Sequence, residues 1–351
     1  MRILLLTTRS CLGGAQSVVM NLANSLCVYN EVAVAAGIDD GEEASILWRL
    51  LSSSVYQYKI LSLVKKISPV KDIMAAREIR RIYNEFKPDV VHLHSSKASV
   101  LGRLVLPSSK IIYTVHGFDT IRVANRKFLP IERILQYRCR FIVGVSNYDY
   151  DNLISERINH NVCVIYNGLT IPKIDKANEL DIFSKVQKNI LSIARVSPPK
   201  RHDLFMQIAK QLPEYNFVWI GNLAPIGDTP ENCHFVGNIP NAGAYCKNAD
   251  LFVLVSDYEG LPMTIIEAMS QGLPIVSSDV GGVHEIVKNG ENGYVASNES
   301  NEFADKIKNI LEDKELYAHM SQASKETYDL SLTINKMVLS YYDLYKQIAK
   351  E

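Results

Sequence analysis

The sequence predicts an α/β protein built from two doubly wound, parallel-sheet units. Short β-branched runs alternate with longer helical stretches, the pattern that makes a parallel sheet with crossover helices. The alternation runs to about residue 170, pauses, and starts again. With 351 residues, the chain is also about 2.3 times a nominal domain of roughly 150 residues. Apolar residues make up 47% and charged residues 22%, the ordinary balance of a protein with full-sized cores.

Residues 2–7 (RILLLT) read as a buried strand. Gly13-Gly14 then opens a helix to about Leu26, with Val18, Val19, Leu22, Ala23 and Leu26 on one face. Strands follow at 31–36, 89–93, 110–115, 141–145 and 162–166, and a helix over 72–86 stops before Pro88. Residues 171–187 are polar and proline-containing, without a strand signal, and read as a linker. Strands recur at 189–194, 216–220, 233–236, 250–255 and 274–277, with helices near 201–212, 241–247, 262–271 and 302–312. The simplest assembly is two Rossmann-like domains, 1–170 and 188–326, facing each other across a cleft with a ligand at the C-terminal strand ends. A final helix over 327–351, rich in Tyr341, Tyr342 and Tyr345, returns to pack on the first domain.

Lys plus Arg equals Asp plus Glu at 38 each, which argues against a nucleic-acid binder. The zero sum hides an asymmetry: residues 1–170 hold roughly 21 basic and 14 acidic side chains, and the remainder reverses the excess. The six cysteines show no paired spacing and read as free thiols in a reducing compartment. The apolar run after Arg2 is too short for an export signal, and no run is long enough to span a bilayer. A cytoplasmic protein is expected.

The most informative segment is 256–272, SDYEGLPMTIIEAMSQG. A strand ends at Ser256-Asp257, Pro262 suits the first turn of a helix, and Gly272 suits the position beyond its end. A helix start behind a glycine offers free N–H groups and the positive end of a dipole to a phosphate. Glu259 on the approach and Glu267 in the helix bracket that anion site, where carboxylates accept hydrogen bonds from hydroxyls. Either acid alone would pass for a solvated residue; the block as a whole is the signal.

This block, with Gly272-Leu273-Pro274-Ile275-Val276 after it, resembles the donor site of the retaining glycosyltransferases of family 4, which have the two-domain glycosyltransferase-B fold. The resemblance implies that Glu259 holds hydroxyls of the transferred sugar and Glu267 the ribose hydroxyls of a nucleotide. It further implies that backbone amides from Gly260 through Leu261, Pro262 and Met263 to Thr264 line the sugar and diphosphate. Arg195 and Lys200 lie five residues apart in a strand-to-helix loop, and the family uses such cations to neutralise the leaving diphosphate. Ala194 stands where the family usually has glycine, and Arg201 rivals Lys200 for the role. In the first domain Gly13, Gly14 and Gln16 match the family's glycine-rich loop, and His116-Gly117 its histidine near the transferred sugar. His94, Lys97 and Asn167 also end strands on that side and are candidates for the acceptor. Asp279-Val280-Gly281-Gly282 is expected to be loop geometry near the nucleobase.

No acidic pair accompanies the cations, Asp39-Asp40 being isolated, so neither metal nor cofactor is expected beyond the nucleotide sugar itself. Same-face substitution, with His116, Arg195, Lys200 and Glu259 as the catalytic set, is the mechanism the resemblance implies. A UDP sugar is the expected donor and a polyprenyl-diphosphate-linked glycan of a bacterial surface polysaccharide the expected acceptor. The basic excess between Lys59 and Arg140 suggests peripheral contact with anionic lipid. Three rivals remain: a nucleotide-sugar epimerase, which needs acid and base carboxylates in the first domain; a dehydrogenase, whose GxGxxG is missing from CLGGAQ; and a non-catalytic sugar-binding module.

Overall fold

A computed structural model describes residues 1–11, 13–38, 46–171 and 181–350. Asp39-Asp40 and most of the expected linker lie outside them. The chain divides into two compact units, Met1–Gly168 with Ile334–Glu351, and Leu169–Thr333.

Among the described residues the first unit has a sheet of seven parallel strands, ordered β3-β2-β1-β4-β5-β6-β7. They are β1 (Arg2–Thr7), β2 (Glu31–Gly37), β3 (Tyr56–Ile60), β4 (Val90–His94), β5 (Ile111–Val115), β6 (Phe141–Gly144) and β7 (Val162–Val164). Helices α1 (Gly14–Leu26), α2 (Ile46–Leu50), α3 (Pro69–Phe86), α4 (Ser96–Val105), α5 (Asp119–Arg122), α6 (Leu129–Leu135) and α7 (Asn147–Ser155) intervene. The sequence pattern misses β3 because this edge strand buries only Ile60, so no apolar run announces it. Arg103 of α4 is buried, with its guanidinium 2.6 Å from Glu132 of α6 and stacked 4.5 Å over Tyr113 of β5. It therefore contributes nothing to a basic surface.

The second unit has a six-stranded parallel sheet, ordered β10-β9-β8-β11-β12-β13. Its elements are β8 (Asn189–Ile193), α8 (His202–Gln211), β9 (Asn216–Ile220), β10 (Cys233–Phe235), β11 (Leu251–Leu254), α9 (Met263–Ser270), β12 (Ile275–Ser278), α10 (Val283–Ile286), β13 (Gly293–Ala296), α11 (Ser300–Glu312) and α12 (Lys314–Ser331). The helix expected at 241–247 is a 3-10 turn, Ala242–Asn248.

The C-terminal segment corrects the sequence reading. The expected helix 327–351 is two: α12 ends in the second unit, and α13 (Ile334–Ala349) belongs to the first. The break has a local cause. Leu332 is fully buried; its N–H makes the last helical bond, to the Tyr328 carbonyl at 2.9 Å, but its carbonyl accepts the Leu169 N–H at 3.2 Å and Thr333 bridges to Leu169, so the helical ladder stops there.

Helix α13 lies on β4 and β5 through its tyrosines. His92 is fully buried and spends both ring nitrogens, Nδ1 on the Tyr345 hydroxyl at 2.6 Å and Nε2 on Thr114 Oγ1 at 2.7 Å. Thr114 in turn meets the Tyr341 hydroxyl at 3.0 Å. Burial holds the His92 pKa well below its ordinary value, so the ring is neutral. Replacing Tyr345 by Phe leaves His92 Nδ1 without its partner. The substitution should destabilise the first unit by about 1–3 kcal/mol, read by urea unfolding; an unchanged midpoint would show that the contact does not hold α13.

Candidate functional site

In the second unit the loops after β8 and β11 zip together. Lys200 forms an antiparallel bridge with Ser256, the Asp257 N–H donates to the Pro199 carbonyl at 3.0 Å, and the Arg201 N–H to that of Val255 at 3.1 Å. This backbone pairing brings Lys200 Nζ into an ion pair with Glu259 Oε1, which also accepts from Ser256 Oγ at 2.6 Å. The two charged side chains are only 18% and 12% exposed, so the pair is shielded from solvent screening. Arg201, the rival cation, is taken by Asp203 at 2.7 Å and Asp257 at 3.3 Å. Arg195 is exposed just past the end of β8, and its guanidinium meets no acidic side chain among the described residues. Ala194 before it is fixed by its carbonyl, which accepts from Trp219 Nε1 at 2.7 Å.

Helix α9 starts beside this pair. Pro262 occupies its N-cap with extended backbone, and Leu261, Pro262 and Met263 turn their side chains into the core. What they leave outward is backbone: the first amides of a helix have no intrahelical acceptor and carry the positive end of its dipole. Gly260 and Thr264 are half-buried on either side. The Gly260 carbonyl accepts the Gly282 N–H at 2.9 Å, and a Cβ on Gly281 would lie 2.0 Å from the Glu259 carbonyl oxygen. Gly281 also has φ +59, which suits glycine. Thus Gly281-Gly282 is a backbone floor under the Glu259 loop.

Glu267 sits in the second turn of α9 against Gly243, where a Cβ would come within 2.6 Å of its carboxyl carbon. Its carboxyl makes no hydrogen bond with another described residue, and burial raises its pKa to about 7 although part of the residue's surface stays open. A desolvated acceptor without a partner is suited to a ligand's hydroxyls.

In the first unit, predicted residues gather at the ends of β1, β4 and β5. His94 Nδ1 is 2.9 Å from His116 Nε2 with the rings stacked, and burial lowers the pKa of both, that of His116 to about 4. Gln16 Nε2 donates to Thr7 Oγ1 at 3.3 Å, which meets Ser95 Oγ at 2.9 Å. Gly13 caps α1 and Gly14 begins it, so the glycine pair opens the helix as the sequence suggests. Ser95 takes φ +69, an unusual value for a side-chain-bearing residue, of the kind held at functional sites. Lys97 is directed elsewhere, to Asp72 at 2.6 Å and the Lys66 carbonyl. Asn167 is buried next to Gly168, whose N–H points at Met337 Sδ. Sequence reasoning missed Thr7, Ser95, Ser256 and Gly243, which act only as neighbours of other residues and carry no spacing signal.

The model named Glycosyltransferase Family 4 matches residues 12–171, and that named Glycosyl transferases group 1 matches residues 176–327. The chain belongs to the family 4 type of glycosyltransferase. The O-antigen biosynthesis glycosyltransferase WbnH of Escherichia coli is 27% identical to this transferase over 323 residues, 89% of this chain and 90% of that one. A second Escherichia coli relative, UDP-Gal:alpha-D-GlcNAc-diphosphoundecaprenol alpha-1,3-galactosyltransferase, is 28% identical over 340 residues, 87% of each chain. In fold the transferase is similar to Anabaena HepE, solved with UDP and glucose, at TM-score 0.82 and 19% identity over 99% of this chain and 100% of that one. The chain thus has the glycosyltransferase-B fold.

Two predictions follow from the second unit. Gly281→Ala should destabilise the transferase by more than the ~1–2 kcal/mol of a left-handed residue alone, because the Glu259 loop must shift. A urea midpoint within error of wild type would refute the floor. Glu267, with its folded pKa raised, binds its proton more tightly when folded. Its contribution to stability is therefore full below pH 4.5 and lost as pH rises through about 7. Relative to Glu267→Gln, wild type should lose up to about 3 kcal/mol between pH 4 and 8; parallel stability profiles would contradict the buried acid.

Proposed function

We propose that this transferase moves a hexose or N-acetylhexosamine from a UDP sugar, with retention, to a polyprenyl-diphosphate-linked glycan in O-antigen, capsule or exopolysaccharide synthesis. The observation that carries the reading is the juxtaposition of the Lys200–Glu259–Ser256 network with the start of α9 and the unpartnered Glu267. Cation, amides and two carboxylates in one loop–helix unit suit a sugar nucleotide, whose diphosphate is anionic and whose sugar and ribose are rich in hydroxyls. The two Escherichia coli relatives, an O-antigen glycosyltransferase and a diphosphoundecaprenol galactosyltransferase, support the acceptor class, and the UDP and glucose bound to HepE support the donor.

In this mechanism the bond from the sugar's anomeric carbon to the phosphate oxygen breaks as the acceptor hydroxyl attacks on the same face. The departing phosphate oxygen takes the acceptor's proton. Arg195, Lys200 and the amides at the start of α9 stabilise the charge that develops on that phosphate, without a metal. Glu259, already oriented by Lys200 and Ser256, accepts from sugar hydroxyls, and Glu267 from the ribose. His116, neutral and braced by His94, supplies a hydrogen-bonding nitrogen to the sugar. Gly13, Gly14 and Gln16 keep their assignment to the diphosphate and acceptor, and the lipid-linked acceptor brings the chain to an anionic membrane. No helix among the described residues is long and apolar enough to cross a membrane.

A thermal-shift panel of UDP, GDP and their sugars in EDTA tests the donor. Stabilisation by the uridine series, weakened at least about tenfold in affinity by Glu267→Ala as one charge-assisted hydrogen-bond pair is lost, is the expected result. No shift by any nucleotide in folded protein would overturn the reading and favour a binding module. Transfer to a lipid-linked sugar, with the product anomer read by NMR, tests acceptor class and retention.

A further inference from the structure

The first unit carries a surface for which the transfer chemistry has no use. Ile67, Val70, Ile73 and Met74 are between 48% and 70% exposed. Val70, Ile73 and Met74 fall at i, i+3 and i+4 of α3, so they form one stripe at its start, which Arg77 and Arg81 continue. Leu61, 71% exposed, is tied to the same helix, its N–H held at 3.0 Å by Glu78, one turn beyond Met74. Single exposed apolar residues are ordinary, but a contiguous row marks an interaction surface.

The charges around this row are sorted. Asp72 accepts the Ser68 N–H at 3.1 Å and pairs with Lys97 at 2.6 Å. Glu78 is occupied by the N–H groups of Leu61 and Ser62. With the nearby acids tied inward, the outward charges beside the apolar row include Lys65, Lys66, Lys71 and Arg77, all exposed. Lys97 also holds the Lys66 carbonyl, so the loop is pinned to α4 and the surface is preformed.

We propose that this face seats the chain on an anionic bilayer, with the apolar row in the headgroup boundary and the cations on lipid phosphates. Charge complementarity selects this partner. A second copy would oppose the same four cations across a twofold contact, whereas anionic lipid neutralises them and an acyl boundary covers the apolar row. The proposal deepens the reading of a lipid-linked acceptor, but vesicle binding by this face requires neither nucleotide nor acceptor. Because apolar side chains insert, the contact resists salt better than a purely electrostatic one.

The test is flotation of the full chain with phosphatidylcholine vesicles, with and without phosphatidylglycerol, at low and high salt. Wild type should float with anionic vesicles and be retained in part at high salt. The triple variant Val70→Ser, Ile73→Ser, Met74→Ser should lose about tenfold in partitioning, with its melting temperature and UDP response unchanged. Lys65→Glu, Lys66→Glu, Lys71→Glu should abolish the preference for anionic vesicles. No flotation of folded, UDP-responsive protein, or a triple variant that floats like wild type, would overturn the proposal. Self-association that the triple variant removes, seen by sedimentation, would assign the face to a second copy instead. Vesicle binding with no nucleotide response would leave this proposal standing and sink the transferase chemistry proposed above.

Discussion

In the second unit a lysine from the loop after β8 and a glutamate from the loop after β11 meet where solvent barely reaches, and neither is stable there without the other. Removing either would leave a shielded, uncompensated charge, so Lys200 and Glu259 weld the two loops at the strand ends. The weld extends inward: Ser256, which donates to Glu259, has its own N–H held by Ser278 Oγ at 2.9 Å, and its carbonyl accepts from Asn298 at 3.0 Å. From below, the Gly281-Gly282 backbone fixes the carbonyls of residues 259 and 260. The geometry of these two loops is thus set by the chain's own contacts.

The first unit meets a different constraint. Two histidines in a fully buried strand are expensive unless every ring nitrogen finds a partner. His92 is satisfied by Tyr345 and Thr114, so α13 supplies hydrogen bonds as well as apolar surface. His94 has one partner, His116, and its Nε2 is buried without another. The histidine at the end of β5 is consequently braced by a neighbour that depends on it in turn. Neutrality follows from burial, which disfavours the charged ring and lowers the His116 pKa to about 4.

Much of this was legible in the sequence because buried parallel strands leave unbroken apolar runs, and the SDYEGLPMTIIEAM block concentrates its chemistry in one segment. β3 and β13 were not, the first being an exposed edge and the second a four-residue strand opened by glycine. The choice between Lys200 and Arg201 could not be made from two adjacent cations. Backbone pairing with Ser256 turns Lys200 towards Glu259 and leaves Arg201 to Asp203 and Asp257. Taken alone, Glu267 would pass for a solvated helix residue; its packing on Gly243, from another part of the chain, shows that it is desolvated.

Charge shows the same limit most clearly. Counted along the chain, the basic excess between Lys59 and Arg140 appears continuous. Folding divides it: Arg103 goes into the core with Glu132, Arg122 to Asp119, Arg126 and Arg133 to Glu156, and Lys97 to Asp72. A paired or buried cation contributes little to the field outside the protein, because its partner cancels it at distances beyond their separation. Cations that remain unopposed beside exposed apolar side chains include Lys65, Lys66, Lys71 and Arg77 around the start of α3. A surface field is therefore a property of which acids the fold turns inward, here Asp72 and Glu78, as much as of how many bases the sequence contains.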